Sequence, residues 1–306
     1  MPPPRLPWTR TACYVCYSVP ARYVLVALDH SGKTVWERNL GPFVSQHGCG
    51  ASPMLYEDKV ILGNEQDGVS FILAVDAKTG KTRWQTPRNS EVAAYATPCV
   101  YQPKGGKPQL LFTSQAHGIY ALEPDTGNVI WEYTKAFDKR SVSCPVFAGD
   151  IVFGSCGSGG GGNFVTAVRA GDPASGKKAE LAYQMKRSAP YVPTSVVVGD
   201  LIWMLADVGI LTCLHTPTGE IRYQERVGGD FFGSPVWVDG RLFCITKAGE
   251  VVVIEASDKF NILSRYPLGE LTYTTPAVAG GRMYIRTEKH LLSVGGKTDQ
   301  STAALR

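Results

Sequence analysis

The sequence predicts an all-β fold: a β-propeller of four-stranded antiparallel blades, about seven in number, with six and eight as the bounds of the count. Three observations carry this prediction. A turn motif recurs at near-constant spacing, a second motif built around a proline precedes each turn, and the composition is turn-rich, with 33 glycines and 20 prolines in 306 residues.

The turn motif is clearest in three copies. Ala27-Leu28-Asp29-His30-Ser31-Gly32 leads to Trp36, Ala74-Val75-Asp76-Ala77-Lys78-Thr79-Gly80 to Trp84, and Ala121-Leu122-Glu123-Pro124-Asp125-Thr126-Gly127 to Trp131, with the tryptophan four residues after the glycine each time. The turn glycines recur at positions 32, 80, 127, 176 and 219, a spacing of 43–49 residues that suits one propeller blade. Degenerate copies extend the series: Gly219 leads to Tyr223 in the tryptophan position, and Ile254-Glu255-Ala256-Ser257-Asp258 occupies the next turn without its glycine.

The second motif is Ser52-Pro53, Thr97-Pro98, Cys144-Pro145, Thr194-Ser195, Ser234-Pro235 and Thr275-Pro276. It opens a short apolar run that is broken by Gly149-Asp150, Gly199-Asp200 or Asp239-Gly240, dipeptides that tolerate the positive φ of tight hairpins. Each unit therefore reads as an inner strand after the proline, a second strand after the hairpin, a third ending in Ala-Leu-Asp, and an outer one carrying the tryptophan. A sheet of this kind cannot bury both faces alone, and stacking such sheets radially does so. Trp36, Trp84, Trp131 and Tyr223 are accordingly read as structural packing residues between neighbouring blades.

Complete units span 50–90, 95–138, 142–188, 192–229 and 232–270, while 272–294 supplies three strands and 22–43 two strands and a turn. If the N-terminal strands complete the last blade the ring has six; if Cys13 to Val19 adds a strand it has seven; a longer parent chain allows eight. The expected organisation is an irregular N-terminal segment over 1–20, truncated if the chain begins inside a longer parent, one propeller domain over 21–296, and a tail over 297–306.

Several function classes lack support. No run approaches the roughly 20 apolar residues of a membrane span. The net charge of +4 is modest and its lysines and arginines are scattered, with no zinc-finger or RNA-recognition signature, so no nucleic-acid partner is expected. The glycine run Ser155–Gly162 lacks the Lys-Ser/Thr of a P-loop and reads as a flexible loop between two strands, and neither a Gly-x-Ser-x-Gly elbow nor a His-Glu-x-x-His pair occurs. The eight cysteines lie singly and read as small core residues; Cys13 and Cys16 have C-x-x-C spacing without a second pair. No signal peptide is discerned at the N-terminus. No catalytic residue and no metal ligand is assigned.

In a propeller the loops entering the inner strands converge on one mouth of the channel, and loops on a rigid scaffold carry function. Candidate ligand-binding residues there are His47, Tyr95, Arg140, Arg187, Tyr191, Phe232 and Tyr273, a set of aromatic rings and basic groups near equivalent positions of several blades. Arg88, Lys139, Lys186 and Arg226 add to a basic rim, against the acids Glu91, Asp138, Asp230 and Glu270. Such a rim suits an anionic ligand or an acidic partner surface.

The signature Ala-Leu-Asp-x-x-Thr-Gly-x-x-x-Trp, spread over residues 22 to 294, resembles the PQQ-like, or quinoprotein-dehydrogenase-like, propeller repeat family. That family includes quinoprotein alcohol and glucose dehydrogenases, the outer-membrane assembly lipoprotein that scaffolds β-barrel insertion, and many bacterial secreted propellers. The context of Gly41-Pro42-Phe43 and His47-Gly48-Cys49-Gly50-Ala51-Ser52-Pro53 is most similar to secreted propellers of planctomycete-type bacteria. The resemblance implies a periplasmic or extracytoplasmic, non-catalytic binding or scaffolding module, a monomer without cofactor, recognising a protein, a glycan or a small polar ligand. The alternative it implies is a dehydrogenase oxidising alcohols or sugars with pyrroloquinoline quinone and calcium. Against that alternative, the adjacent cysteine pair of the methanol-type enzymes is missing, and Asp29, Asp76, Glu123 and Asp125 fall in the turns, where acids shape the backbone.

Overall fold

The structure, a computed structural model, describes residues 12–19 and 21–295. Its strands follow the repeat. They are β1 (Cys13–Val19), β2 (Arg22–Leu28), β3 (Thr34–Asn39), β4 (Met54–Tyr56), β5 (Lys59–Asn64), β6 (Ser70–Asp76), β7 (Thr82–Arg88), β8 (Cys99–Tyr101), β9 (Gln109–Ser114), β10 (Gly118–Leu122), β11 (Val129–Tyr133), β12 (Val146–Ala148) and β13 (Ile151–Cys156). The series continues through β14 (Phe164–Arg169), β15 (Glu180–Met185), β16 (Val196–Val198), β17 (Leu201–Leu205), β18 (Ile210–His215), β19 (Glu220–Arg226), β20 (Val236–Val238), β21 (Arg241–Ile245), β22 (Glu250–Glu255), β23 (Ile262–Pro267), β24 (Ala277–Ala279), β25 (Arg282–Arg286) and β26 (Leu291–Gly295).

These strands form seven antiparallel sheets in chain order, each pairing only consecutive strands, and the protein is a seven-bladed propeller. Five blades are four-stranded, whereas the described parts of the first (β1–β3) and last (β24–β26) have three. The count of seven depends on Cys13–Val19, which pairs along its whole length with Arg22–Leu28 instead of belonging to an irregular segment. The remainder of that segment before residue 12 and the tail over 297–306 lie outside the described residues.

The inner strands are short because the Ser/Thr-Pro motif ends the loop on one side and a two-residue turn follows three residues later. The first turn residue takes positive φ at Glu57, Gly149, Gly199, Asp239 and Gly280. In the third blade the turn is widened to Gln102–Pro108. In the five four-stranded blades the second and third strands are largely buried on both faces, as in β9 and β13, where every residue is buried. Six apolar clusters lie between successive blades, for example Ile61, Ile72 and Trp84 of the second against Leu110, Phe112 and Leu122 of the third.

The repeated turn ties each blade to its neighbour. The acid at its head folds the turn on itself: Asp76 Oδ1 accepts from Lys78 N, Thr79 N and Thr79 Oγ1, and the Thr79 hydroxyl, with Arg83, pulls the Asp76 carboxyl down to about 2. The glycine that closes the turn lies beneath an aromatic ring of the preceding blade. A Cβ on Gly80 would stand 2.8 Å from the Trp36 ring, and one on Gly127 2.4 Å from the Trp84 ring. The same aromatics donate to the residue after the acid: Trp36 Nε1 to Ala77 O at 3.0 Å and Trp84 Nε1 to Pro124 O at 2.9 Å. Trp131 instead donates to Gln109 Oε1 of its own blade, at 2.7 Å, while covering Gly171.

Two details of the repeat differ from expectation. In the fourth blade the turn is enlarged by a 3₁₀ turn over Pro173–Ser175, so Gly176 faces open space and Gly171 takes the covered position. The enlargement also moves the aromatic from four to seven residues past Gly176, to Tyr183, which pairs with Ala167 as Trp131 pairs with Ala121. Tyr183 packs on Gly219 and donates its hydroxyl to Thr216 O at 2.5 Å. Tyr223 then meets Phe260 in the next turn, ring centroids 5.5 Å apart.

Two glycines with nearly the same φ, +73° at Gly127 and +72° at Gly176, differ only in what surrounds them. Gly127→Ala should cost about 3 kcal/mol through the clash with Trp84, while Gly176→Ala costs about 1 kcal/mol for the left-handed backbone alone. Denaturant midpoints of the two variants check this, and equal losses would show that the ring does not hold the turn.

Candidate functional site

One face of the ring carries both the loops between blades and the hairpins joining second and third strands. Backbone bonds knit the two sets together: Ala94 N to Glu65 O at 3.1 Å, Gly157 N to Arg140 O at 3.0 Å, Phe231 N to Asp207 O at 2.8 Å, and Glu288 N to Leu271 O at 3.0 Å. The opposite face is formed by the repeated turns, fastened to the inner hairpins by bonds such as Ala77 N to Asp58 O at 2.8 Å and Thr216 N to Asp200 O at 2.8 Å. All seven candidate residues belong to loops of the first face.

The entry to each inner strand is held by a ladder that runs from blade to blade. The first residue of the motif donates its backbone N–H to the hydroxyl of its counterpart in the next blade: Ser52 N to Thr97 Oγ1 at 3.0 Å, Cys144 N to Thr194 Oγ1 at 3.0 Å, Thr194 N to Ser234 Oγ at 2.9 Å and Ser234 N to Thr275 Oγ1 at 2.9 Å. The interruption falls between Thr97 and residue 144, where a cysteine replaces the hydroxyl residue. This explains the recurrence of Ser and Thr at that position, which the sequence shows without its reason.

The candidates fall into two groups. In the first, Arg140 lies over the Tyr95 ring at 5.5 Å, the His47 ring is 6.3 Å from that of Tyr95, and Arg140 Nη1 reaches Gln46 Oε1 at 3.5 Å. Loops from three blade boundaries thus meet there. Tyr95 Oη and Arg140 Nε are buried without a protein partner, so this group holds unused donors. In the second, Phe232 and Tyr273 from adjacent boundaries stand edge to face at 6.0 Å, 46% and 52% exposed. Tyr191 is held between the groups in the chain, its N–H bonded to Asp207 Oδ2 at 2.7 Å and its ring against Gly157. Arg187 is exposed and joins neither group.

The basic rim is thinner than the sequence implies. Arg88 is buried, pairing with Glu132 at 2.8 Å and lying 4.1 Å over the Tyr120 ring. It stands four residues beyond Trp84 on the same face of β7, and so points into the next blade instead of the mouth. Lys139 Nζ is occupied by the carbonyls of Gly161 and Gly162, which pins the glycine run. Glu270 is bonded to His290 Nδ1 at 2.5 Å and to Thr287 Oγ1 at 2.6 Å; the threonine hydroxyl, first, holds its carboxyl below the usual value.

Two buried polar residues set this sector, and both follow β5 in the sequence as an uninterrupted polar run. Glu65 accepts from Ser90 Oγ at 3.0 Å and Tyr120 Oη at 2.7 Å, and burial beside that carboxylate raises the Tyr120 phenol well above its ordinary range. Gln66 donates to Pro42 O at 3.1 Å and accepts from Val44 N at 2.6 Å, anchoring the loop that carries His47. Only the polarity of Asn64-Glu65-Gln66-Asp67 after an apolar strand signals them.

A hard cation such as calcium takes six to eight oxygen ligands. Among the described residues no three His, Cys, Asp or Glu side chains converge. Three acids on this face are engaged by protein donors: Glu65 as above, Asp67 by Ala93 N at 2.7 Å, and Asp207 by Tyr191 N at 2.7 Å and Val192 N at 3.2 Å. The donor set does not fit a quinone-and-metal centre.

Repeat, turn lock and mouth together define a propeller of PQQ-like repeats. The family model described as outer membrane protein assembly factor BamB matches residues 14–225 and 166–259, and the chain belongs to that family. The outer membrane protein assembly factor BamB of Yersinia pestis is 24% identical over 293 residues, covering 88% of this chain and 68% of that protein. Among solved structures, BamB from Moraxella catarrhalis has a TM-score of 0.68 at 18% identity, over 94% of this chain and 80% of the other. A europium-containing methanol dehydrogenase has a TM-score of 0.65 at 12% identity, over 90% and 72%. At such identities the likeness to the solved structures speaks for the fold.

If the hydroxyl ladder sets the inner strands, Cys144→Ser should give Thr97 N–H an acceptor and raise stability by about 0.5–1 kcal/mol, while Thr194→Val removes one and lowers it by about 1–2 kcal/mol. Urea unfolding of both variants checks the pair, and a destabilised Cys144→Ser would contradict the ladder.

Proposed function

We propose that this chain is a non-catalytic, protein-binding propeller that serves as a scaffold in outer-membrane protein assembly, outside the cytoplasm. Membership of the assembly-factor family is the observation that carries the reading. The geometry supports it: the mouth offers exposed aromatic rings, Phe232 and Tyr273, and a basic group, Arg140, with donors to spare, the residue types that make protein contacts. Glu65, Asp67 and Asp207 on the mouth face are spent on loop backbone and on Tyr120. Among the described residues no helix is long and apolar enough to cross a membrane.

The partner is a protein surface with acidic and apolar groups, engaged by the Arg140–Tyr95–His47 group and the Phe232–Tyr273 pair. Combining Arg140→Glu with Tyr273→Ala should cut co-purification of envelope partners about tenfold or more while leaving the melting temperature unchanged. Titration with pyrroloquinoline quinone and Ca²⁺, followed by cofactor absorbance and dye-linked alcohol oxidation, should show no saturable binding. Saturation with dye reduction would make the chain a quinoprotein and overturn the scaffold reading.

A further inference from the structure

Strand alternation places Tyr14, Cys16 and Ser18 on one face of β1 and Cys13, Val15, Tyr17 and Val19 on the other. The face with Cys16 meets the loop that carries His47. Cys16 Sγ donates to Ala51 O at 3.1 Å, and Ser18 Oγ accepts from Cys49 N at 3.3 Å. These two bonds lay residues 49–51 antiparallel to 16–18 and set Cys16 and Cys49 diagonally across the pair as neighbours. Both are half-buried free thiols, and both line a solvent-connected groove of about 310 Å³ with Tyr14, Gly50 and Ala51. Burial, assisted by the neighbouring Cys49, raises the Cys16 thiol to about 11.

We propose that Cys16 and Cys49 are a disulfide-forming pair that fastens the first blade to the loop presenting His47 at the mouth. The inference rests on the extracytoplasmic placement given above, since disulfides persist in oxidising compartments. Two thiols lose two protons and two electrons as the S–S bond forms. The electrons pass to a second disulfide, oxidised glutathione or that of a thiol oxidoreductase, which opens to two thiols through a mixed disulfide with one of the pair. Cys13 points to the opposite face of the strand and takes no part. The bridge would tie the first blade, three-stranded in its described part, to the loop that follows it, and would hold Gln46 and His47 in register with Arg140.

The full chain, equilibrated in glutathione buffers of graded potential, acid-quenched and alkylated, tests this by mapping of tryptic fragments. The expected product links the fragment 11–22 to the fragment 39–59, persists in Cys13→Ser, disappears in Cys16→Ser, and leaves all but two of the eight cysteines open to alkylation. Reduction should lower the melting temperature of the wild type by about 5 °C and leave that of Cys49→Ser unchanged. Complete alkylation of Cys16 and Cys49 at every potential, or a link that maps to Cys13 or joins Cys99 to Cys144 alone, overturns the proposal and leaves the scaffold reading standing. A bridge that forms in buffer but is missing from protein trapped directly from cells overturns the extracytoplasmic placement, and with it the native bridge.

Discussion

Everything in this molecule depends on an aromatic ring of one blade lying on the turn glycine of the next. A single four-stranded sheet has two apolar faces and cannot bury either without a neighbour. The turn supplies a flat, side-chain-free spot at Gly80, Gly127, Gly171 and Gly219, and Trp36, Trp84, Trp131 and Tyr183 cover those spots. For Trp36, Trp84 and Tyr183 the polar tip of the ring also donates to a carbonyl one residue past the turn's first acid or its equivalent, so contact and hydrogen bond fix the same angle between blades. Arg38 and Thr86, two residues further along the outer strands, add donations to Gly80 O and Gly127 O.

That lock consumes one face of the ring and frees the other. The turns on the locked face have their acids and carbonyls committed to structure, with the depressed Asp29, Asp76 and Asp172 carboxyls, each bonded first of all by a neighbouring hydroxyl, as the chemical sign of it. On the mouth face the hydroxyl ladder fixes where the inner strands begin, and the loops above it are left to vary. Glu65 and Gln66 stiffen the sector around His47 and Tyr95, whereas Phe232 and Tyr273 stand half-exposed with little more than each other for support. The proposed protein partner would find pre-ordered contacts in the rigid sector, and such contacts cost less entropy on binding.

Period and composition made most of the fold legible, because the lock places similar residues at similar spacing in several successive blades. The strand order within each unit and the tight hairpins could be read from the motif. Tyr183 escaped because the widened turn at Pro173–Ser175 breaks the four-residue spacing while the pairing with Ala167 is kept. Arg88 was read as a rim cation although its position four residues after Trp84 on an extended strand sets it on the buried face; counting by two along β7 would have placed it. Glu65 and Tyr120 lie 55 residues apart and meet only when two blades stack, so no local pattern announces them. The mouth was legible as a set of loops, but its division into two groups depends on loop paths that no spacing encodes.

Site-specific photo-crosslinking in the bacterial envelope tests the division of labour between the two faces most directly. A photoreactive residue is placed at His47, Phe232 or Tyr273 on the mouth face, or at the exposed Lys33, Lys177 or Lys259 in the repeated turns. The account predicts protein adducts from the mouth positions and none above background from the turns. Adducts confined to the turn positions would contradict it and move the recognition surface to the face assigned here to structure.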